Sequence, residues 1–137
     1  MEFSINYLAV LLAGVSNMVI GFLWYGPVFG KVWIKLMGWG PEVIEEAKKK
    51  GGMGKSYVLA FLGALVTAYV MAHFLQLALV VDVMGALTFV FWLWLGVIAT
   101  TFLASVLWEG KSWQLYGFNI LYYLVAFSVM STIITLL

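Results

Sequence analysis

The sequence has no cysteine and no arginine, and it has a single histidine, His73, among 137 residues. The lack of cysteine excludes a disulfide framework, a thiolate metal site and a thiol nucleophile. One histidine excludes a multi-histidine metal site within one chain, so we expect no metal and no cofactor. Charged residues make up only 9% of the chain, against about 25% in soluble proteins. The net charge of +1 provides no basic field for nucleic acid.

Apolar residues are what the chain has in abundance. They make up 65% of it, against about 45–50% in soluble proteins, which leaves too little polar surface for a soluble domain. A membrane-crossing helix needs about 20 mostly apolar residues. Four segments qualify, over residues 5–25, 57–80, 84–108 and 113–136. We therefore predict an all-α membrane protein, in which residues 1–137 form a single four-transmembrane-helix bundle.

The distribution of lysine predicts the orientation. All seven lysines fall in the loop over residues 26–56 or in the hairpin over residues 109–112, which share one side of a four-span protein. The opposite side carries Glu2 and Asp82 and no basic side chain. By the positive-inside rule, we expect the 26–56 loop in the cytoplasm, both termini outside, and a location in the cytoplasmic (inner) membrane.

The long loop is predicted to hold a short interfacial amphipathic helix between Val28 and Met37. Its apolar residues recur with helical spacing at Phe29, Val32, Trp33 and Leu36. Lys31 and Lys35 lie on the opposite face, where their amines can meet lipid headgroups. Gly38 is expected to end this helix.

A second helix is predicted from Pro41 to Lys50, since acidic residues fill its first turns and lysines its last. Its lysine run, Lys48 to Lys50, is either an orientation signal or a patch for lipid or a partner. Three glycines are expected to break the chain before the second span: Gly51, Gly52 and Gly54.

Two predicted cytoplasmic junctions share a pattern. Leu-Trp-x-Gly ends the first span at Gly26 and the third at Gly110, and Lys-x-Trp follows each copy. The pattern indicates either two related hairpins or the general enrichment of tryptophan at this interface. Glu109 is either a carboxylate that stabilises the N-terminus of span four or a cytoplasmic gate. The candidate junction residues are Trp24, Tyr25, Gly26, Pro27, Trp33, Trp108, Glu109 and Trp113.

Small residues recur every four positions in several spans. Span two carries Ala60, Ala64, Ala68 and Ala72, and span three carries Gly96, Thr100 and Ala104. Such ridges allow helix backbones to approach closely. They could serve one compact bundle or contacts between chains, and we expect a homo-oligomer.

Polar side chains inside the spans are costly unless they are paired. The candidate polar lining consists of Asn17, Ser105, Asn119, Tyr123, His73 and Gln76. We expect Asn17 and Asn119 to contact each other, either to fix helix packing or to line a path for a solute. His73 is either satisfied by a neighbour or engaged in proton transfer or ligand contact. Trp92 and Trp94 lie deep in span three, so each indole N–H needs a partner.

Several stretches together resemble a known family. The first reads Gly-Phe-Leu-Trp-Tyr-Gly-Pro-Val-Phe-Gly-Lys-Val-Trp from Gly21 to Trp33, and the later ones are Phe91–Gly96, Glu109–Trp113 and Asn119–Leu124. The chain resembles a family of small bacterial four-helix integral membrane proteins that is known only as a domain of unknown function. The resemblance covers nearly the whole chain and implies a four-helix, single-domain membrane protein without an assigned activity. Relatives often carry histidine at the position of Tyr123, so a histidine-based role is not expected there.

Three classes of function remain. The first is a small oligomeric channel or transporter for a neutral, anionic or lipid-like solute, because no acid or base lies near the midplane to support a proton-coupled pump. The second is a structural or accessory protein that binds lipid or a larger complex. An intramembrane enzyme is disfavoured, since cysteine, paired carboxylates and a second histidine are lacking. The expected partners are the lipid bilayer, further copies of the chain and an unidentified protein, but no nucleic acid.

Overall fold

The computed structural model describes residues 3–49 and 53–137, which are helical apart from short connections. The α-helices of this part are α1 (Tyr7–Leu23), α2 (Gly30–Met37), α3 (Pro41–Lys49), α4 (Met53–Leu77), α5 (Val83–Leu93), α6 (Leu103–Leu107) and α7 (Trp113–Leu136). Two π-helical segments, Trp24–Val28 and Trp94–Ala99, follow α1 and α5. The prediction of an all-α protein is confirmed.

Within the described residues, four helical segments are long and apolar enough to cross a membrane. They are Tyr7–Val28, Gly54–Leu77, Val83–Leu107 and Trp113–Leu136, within three residues of the predicted limits at every end. Span three is not one regular helix, because the second π segment and a turn at Phe102 divide it into α5 and α6. Apolar length identifies a span, but such a change of helical pitch leaves no mark on hydropathy.

Short polar side chains define where three of these helices begin. The Oδ1 atom of Asn6 accepts from the backbone N–H groups of α1, and Asp82 Oδ1 accepts from Gly85 N–H at 2.8 Å at the start of α5. The hydroxyl oxygen of Ser112 accepts from Leu115 N–H at 3.1 Å at the start of α7. These caps satisfy backbone donors that the helix itself leaves free.

The loop helices follow the sequence prediction with one exception. Gly38 ends α2 in the left-handed conformation, with a φ of 74°, and Pro41 begins α3. Lys50, Gly51 and Gly52 lie outside the described residues. Gly54 was expected to break the chain, but it lies in the first turn of α4. Glycine keeps its backbone N–H and costs only about 1 kcal/mol relative to alanine in a helix, so a single glycine does not by itself break one.

Helix α7 lies at the centre of the bundle. It packs against α1, α4 and α5, and α1 also packs against α4. Span three packs mainly on α7, and only 11% of its apolar window is buried, compared with 22–28% in the other spans. Span three therefore has most of its surface available to lipid or to another chain.

The apolar core lies in the terminal half of the bundle, which holds both described chain ends and the turn at Asp82. Its buried residues come from all four spans: Val10, Ala13, Ala68, Met71, Ala72, Leu75, Ala86 and Met130. The alanine ridge of α4 is buried at Ala64, Ala68 and Ala72 but exposed at Ala60. From residue 54 to 63, every residue of α4 except Phe61 is exposed. The opposite half, next to α2, α3 and the 109–112 hairpin, is called the loop half below.

Candidate functional site

In the loop half, hydrogen bonds tie α7 to the first span. The Tyr25 hydroxyl donates to Asn119 Oδ1 at 2.7 Å, and the Tyr122 hydroxyl donates to Asn17 Oδ1 at 2.5 Å. These four residues are called the asparagine–tyrosine site. The predicted contact between Asn17 and Asn119 is therefore wrong, since each asparagine is hydrogen-bonded to a tyrosine. The register of α1 against α7 sets Asn17 opposite Tyr122, and the spacing of polar residues does not reveal that register.

The absence of a side chain at Gly21 leaves room for the Tyr122 hydroxyl beside Asn17. A methyl group placed on Gly21 would lie 3.1 Å from the Tyr122 hydroxyl oxygen. The chain then bends at Gly26, whose φ of −121° and ψ of −113° are not helical, and Pro27 follows inside the first π segment. A proline that lacks an N–H explains why regular helix stops here. Tyr25 lies directly before the bend, and α2, which follows it, packs against α7.

Aromatic rings surround the asparagine–tyrosine site. The Tyr25 ring lies 5.3 Å from that of Tyr122 and 5.0 Å from that of Trp33 on α2, between ring centroids. The Trp24 ring lies 5.5 Å from that of Phe118. The two contacts of Tyr25 are edge-to-face, an arrangement that stabilises packing beyond the area it buries. The rings thus hold the two tyrosine hydroxyls against their asparagines.

Three N–H donors in this region have no acceptor among the described residues. Asn17 and Asn119 are engaged through their oxygens, and neither amide nitrogen donates a hydrogen bond. The indole nitrogen of Trp24 is buried and also lacks a partner. Unpaired donors are costly inside a membrane, because no water is present to accept from them. The site can therefore bind a group that carries acceptor oxygens.

A second set of contacts ties α7 to span three. Trp94 Nε1–H donates to the Ile120 carbonyl oxygen at 2.7 Å, and the Tyr116 hydroxyl donates to the Ala99 carbonyl oxygen at 2.6 Å. Trp94 thus has the expected partner, whereas Trp92 is 64% exposed and makes no side-chain hydrogen bond with the described residues. Together the two bonds fix both ends of the second π segment on α7.

Sequence reasoning missed the relation between the two π segments, although a signal was present. Leu-Trp-x-Gly occurs a third time, at Leu93–Gly96, and this copy begins the second π segment as Leu23–Gly26 begins the first. The predicted match at Leu107–Gly110 instead ends a helix, where Gly110 has a φ of 72°. The two predicted junction glycines, Gly26 and Gly110, therefore differ in conformation.

The junction residues do not form one site. Trp24, Tyr25 and Trp33 pack together, whereas Trp108 and Trp113 are 83% and 60% exposed. Glu109 is also exposed. These three exposed residues surround the hairpin at the end of span three, where they can face the interfacial lipid.

The remaining lining residues are dispersed. The Ser105 hydroxyl donates within its own helix to the Phe102 carbonyl oxygen at 2.8 Å. Tyr123 packs on Phe102, with 5.2 Å between ring centroids, on the flank of the asparagine–tyrosine site. His73 and Gln76 lie in the terminal half, far along α4 from the loop half. The six residues therefore do not line one path within a single chain.

Gln76 and His73 make local contacts. The Gln76 amide donates to the Ser4 carbonyl oxygen at 2.6 Å and accepts from Ser4 N–H at 3.1 Å, so it holds the extended residues before α1. His73 Nδ1 lies 2.8 Å from the Tyr69 carbonyl oxygen, which fits the tautomer protonated at Nδ1. No three metal-binding side chains come together within residues 3–49 and 53–137.

Lys31 and Lys35 are exposed on α2, as their place on the polar face predicted. Helix α2 packs against the first π segment and against α7. The two amines are therefore carried by an element that also contacts the asparagine–tyrosine site.

Comparison with known proteins identifies the family. The model of the DUF1761 family, whose description is protein of unknown function, matches residues 8–135. The chain belongs to the DUF1761 family. This membership confirms the resemblance seen in the sequence. No solved structure matches the chain.

The chain is also similar to a curated membrane protein. A UPF0591 membrane protein of the fission yeast Schizosaccharomyces pombe is 35% identical over 79 residues, which are 57% of this chain and 53% of the relative. The chain thus spans about half the length of that relative. Together with the four apolar spans, the match places this DUF1761 protein in a membrane. A bacterial origin and an inner-membrane location stay predictions.

Proposed function

We propose that this DUF1761 protein is a non-catalytic accessory protein of the membrane that binds an anionic phospholipid at the asparagine–tyrosine site. One observation carries the proposal. Asn17 and Asn119 accept hydrogen bonds from Tyr122 and Tyr25, and both keep their amide N–H groups free. In a bilayer the available acceptors are the ester and phosphate oxygens of lipids, since water is excluded from the hydrocarbon layer.

The depth of the asparagines suits a lipid ester. Asn119 lies six residues into α7, or about 9 Å from its first residue. Lys31 and Lys35 are exposed on α2, which packs on the same helix. Amines at the surface attract anionic headgroups, at roughly 1 kcal/mol for each lysine. A phospholipid can therefore place its phosphate near the lysines and its ester oxygens near the asparagine amides.

Two variants separate lipid binding from helix packing. Asn119→Leu and Tyr25→Phe both remove the Tyr25–Asn119 hydrogen bond, but only Asn119→Leu removes the amide donor. We expect Asn119→Leu to lower the affinity for palmitoyl-oleoyl phosphatidylglycerol about five-fold, or ~1 kcal/mol, and Tyr25→Phe to lower it less than about two-fold. Native mass spectrometry of protein titrated with this lipid in detergent measures both.

Equal losses in the two variants, or an unchanged affinity in Asn119→Leu, would contradict the proposal. The headgroup contact is checked with the double variant Lys31→Gln and Lys35→Gln. It should reduce the preference for phosphatidylglycerol over phosphatidylcholine while the affinity for phosphatidylcholine stays the same. If the purified protein modified lipids chemically, the proposal that it is non-catalytic would be wrong.

A small oligomeric channel or transporter is the second candidate, and a different observation favours it. Gly96, Thr100 and Ala104 are exposed on span three, whereas small residues at lipid depth favour contact with another helix. A second copy that packs there could form, between chains, a path that one chain does not contain. Purified protein in liposomes should then conduct a neutral, anionic or lipid-like solute, and Asn119→Leu should reduce the flux. No flux across such a panel, or a monomer in native lipid, excludes this candidate.

We also propose the orientation that the lysines predict, with loop 26–56 in the cytoplasm and both termini outside. Reporter fusions at each terminus and within α3 measure it directly. A terminus on the cytoplasmic side would reverse the arrangement.

A further inference from the structure

One indole N–H is exposed near the middle of the membrane. Trp92 is the tenth of the 25 residues of span three, Val83–Leu107, so its Cα lies about 5 Å from the midpoint of the span. Its side chain is 64% exposed, and its Nε1–H has no acceptor among the described residues. The hydrocarbon layer extends about 15 Å to each side of its midplane, so lipid ester oxygens lie about 10 Å away. Neither lipid tails nor water can accept from this donor.

Exposed hydroxyl oxygens lie on the same helix. Thr88 and Thr100 are exposed on span three, one turn before Trp92 and two turns after it. The Thr88 hydroxyl donates to the Met84 carbonyl oxygen at 2.8 Å, and the Thr100 hydroxyl donates to the Gly96 carbonyl oxygen at 2.7 Å. A hydroxyl that donates one hydrogen bond keeps lone pairs with which it can accept another. Span three thus exposes a donor and acceptors that its own chain does not pair.

The second π segment keeps these side chains aligned. In an α-helix, residues four positions apart are rotated by about 40° from each other, so a repeat of four winds around the axis. The wider turns of a π segment rotate such residues the other way, and Trp94–Ala99 lies between Trp92 and Thr100. Gly96, at the centre, is also exposed. These residues, Thr88, Trp92, Gly96 and Thr100, are called the Trp92 face.

We infer that the Trp92 face binds a second copy of this chain, with the Trp92 Nε1–H of each copy donating to the Thr88 hydroxyl oxygen of the other. Because the same lysines orient every copy, a two-fold axis along the membrane normal brings residues of equal depth together. Side chains of a helix lean towards its N-terminus, so the Trp92 ring extends towards the depth of Thr88. The face is therefore complementary to itself, whereas lipid tails offer it no acceptor.

The single chain leaves this span largely free for such a contact. Only 11% of the apolar window of span three is buried, compared with 22–28% in the other spans. A methyl group placed on Gly96 would meet no atom within 4 Å, so a second backbone can approach there. The inference goes beyond the proposed lipid binding, and it names the hydrogen bond of the contact on which the channel candidate depends. A dimer that binds no phosphatidylglycerol and conducts no solute would exclude both functions and leave this inference standing.

Energy transfer between fluorescently labelled copies of the full chain measures dimerisation in phosphatidylcholine liposomes of varied protein-to-lipid ratio. Trp92→Phe keeps an aromatic ring and removes the N–H. It should weaken dimerisation about eight-fold, because two symmetric hydrogen bonds of average strength in membranes are lost. Trp108→Phe is the control, since Trp108 is 83% exposed at the end of span three, where water can accept from it. Equal effects in the two variants, or a monomer at every ratio, would overturn the inference.

A double-mutant cycle tests the pairing of Trp92 with Thr88. Thr88→Val removes the acceptor and should also weaken dimerisation about eight-fold. The double variant should be no weaker than either single variant, because each of them already breaks the same bond. Thr101→Val, at an exposed threonine outside the Trp92 face, should leave dimerisation unchanged. Additive losses in the double variant would show that the two residues do not pair.

Cross-linking locates the contact independently of its strength. The chain has no cysteine, so Gly96→Cys introduces a single thiol at the centre of the Trp92 face. Thiols held together in a dimer react at a raised effective concentration, so a mild oxidant should link Gly96→Cys about ten-fold faster than Gly63→Cys. Gly63 is an exposed glycine of α4 that also has no atom within 4 Å of an added methyl group. Equal rates, or linkage of Gly96→Cys to a different protein in native membranes, would overturn the inference.

Discussion

The two halves of the bundle are held together by different means. In the terminal half, all four spans meet through small and unbranched apolar side chains such as Ala13, Ala68 and Met130, which are fully buried. In the loop half, almost every residue of α4 is exposed. There α7 is joined to its neighbours by hydrogen bonds of side chains such as Tyr25 and Asn119. Lipid tails are as apolar as the core, so packing alone gives each half only modest stability.

The two halves differ in how well they accommodate irregular backbone. Small residues permit close backbone contact and leave little room for change. Aromatic and hydrogen-bonded side chains bridge wider gaps between helices. They therefore accommodate the two π segments and the bend at Gly26. Irregular backbone with unpaired donors is typical of functional regions, so the loop half carries the proposed lipid site.

The largest expected effect tests the packing of the terminal half. Ala68→Leu should lower the free energy of unfolding by about 2 kcal/mol, because Ala68 is completely buried between helices. Ala60→Leu, on the same ridge but exposed, should change it by less than about 0.5 kcal/mol. Denaturant titration in detergent, followed by circular dichroism, measures both. Similar losses in the two variants would mean that the ridge packs along its whole length.

A smaller effect of opposite sign is expected near the end of α7. The Thr135 hydroxyl is buried without a partner, so Thr135→Val should raise the free energy of unfolding by about 1 kcal/mol. Thr132 is the control, since its hydroxyl donates to the Ser128 carbonyl oxygen at 2.8 Å. Thr132→Val should give no gain in the same titration. A gain in Thr132→Val equal to that in Thr135→Val would show that the unpaired state of Thr135 is not the cause.

The smallest effect concerns the hydrogen bonds of the loop half. Tyr122→Phe removes the bond to Asn17 and should lower the free energy of unfolding by about 0.6 kcal/mol, the average for such bonds in membranes. Tyr123→Phe should have no effect, because the Tyr123 hydroxyl makes no hydrogen bond with the described residues. Thermal unfolding of the two variants side by side measures the difference. A greater loss of stability in Tyr123→Phe than in Tyr122→Phe would show that the Tyr122–Asn17 hydrogen bond is not the stabilising contact.

Much of the fold could be predicted from local sequence. The four spans, the end of α2 at Gly38 and the start of α3 at Pro41 follow from hydropathy and from the conformations of glycine and proline. The buried part of the alanine ridge follows from its spacing, although exposure of Ala60 does not. The spacing of the alanines shows that α4 can pack closely against another helix. It does not show over what length the two helices stay in contact.

The candidate site was predicted only in its parts. Polarity at membrane depth identified Asn17 and Asn119, but their tyrosine partners depend on the register of α1 against α7. Trp94 was recognised as a side chain in need of a partner, and only the fold shows that the Ile120 carbonyl oxygen accepts from it. Contacts of this kind join residues far apart in sequence, so no local pattern encodes them.

Hydropathy along the chain was sufficient to predict four membrane-crossing helices, because transfer of apolar residues into lipid and pairing of backbone groups within a helix are local properties. The tertiary structure decided which helix lies at the centre, where the bundle opens and which donors are left free. Those features depend on the relative rotation and register of helices, which small differences in packing determine.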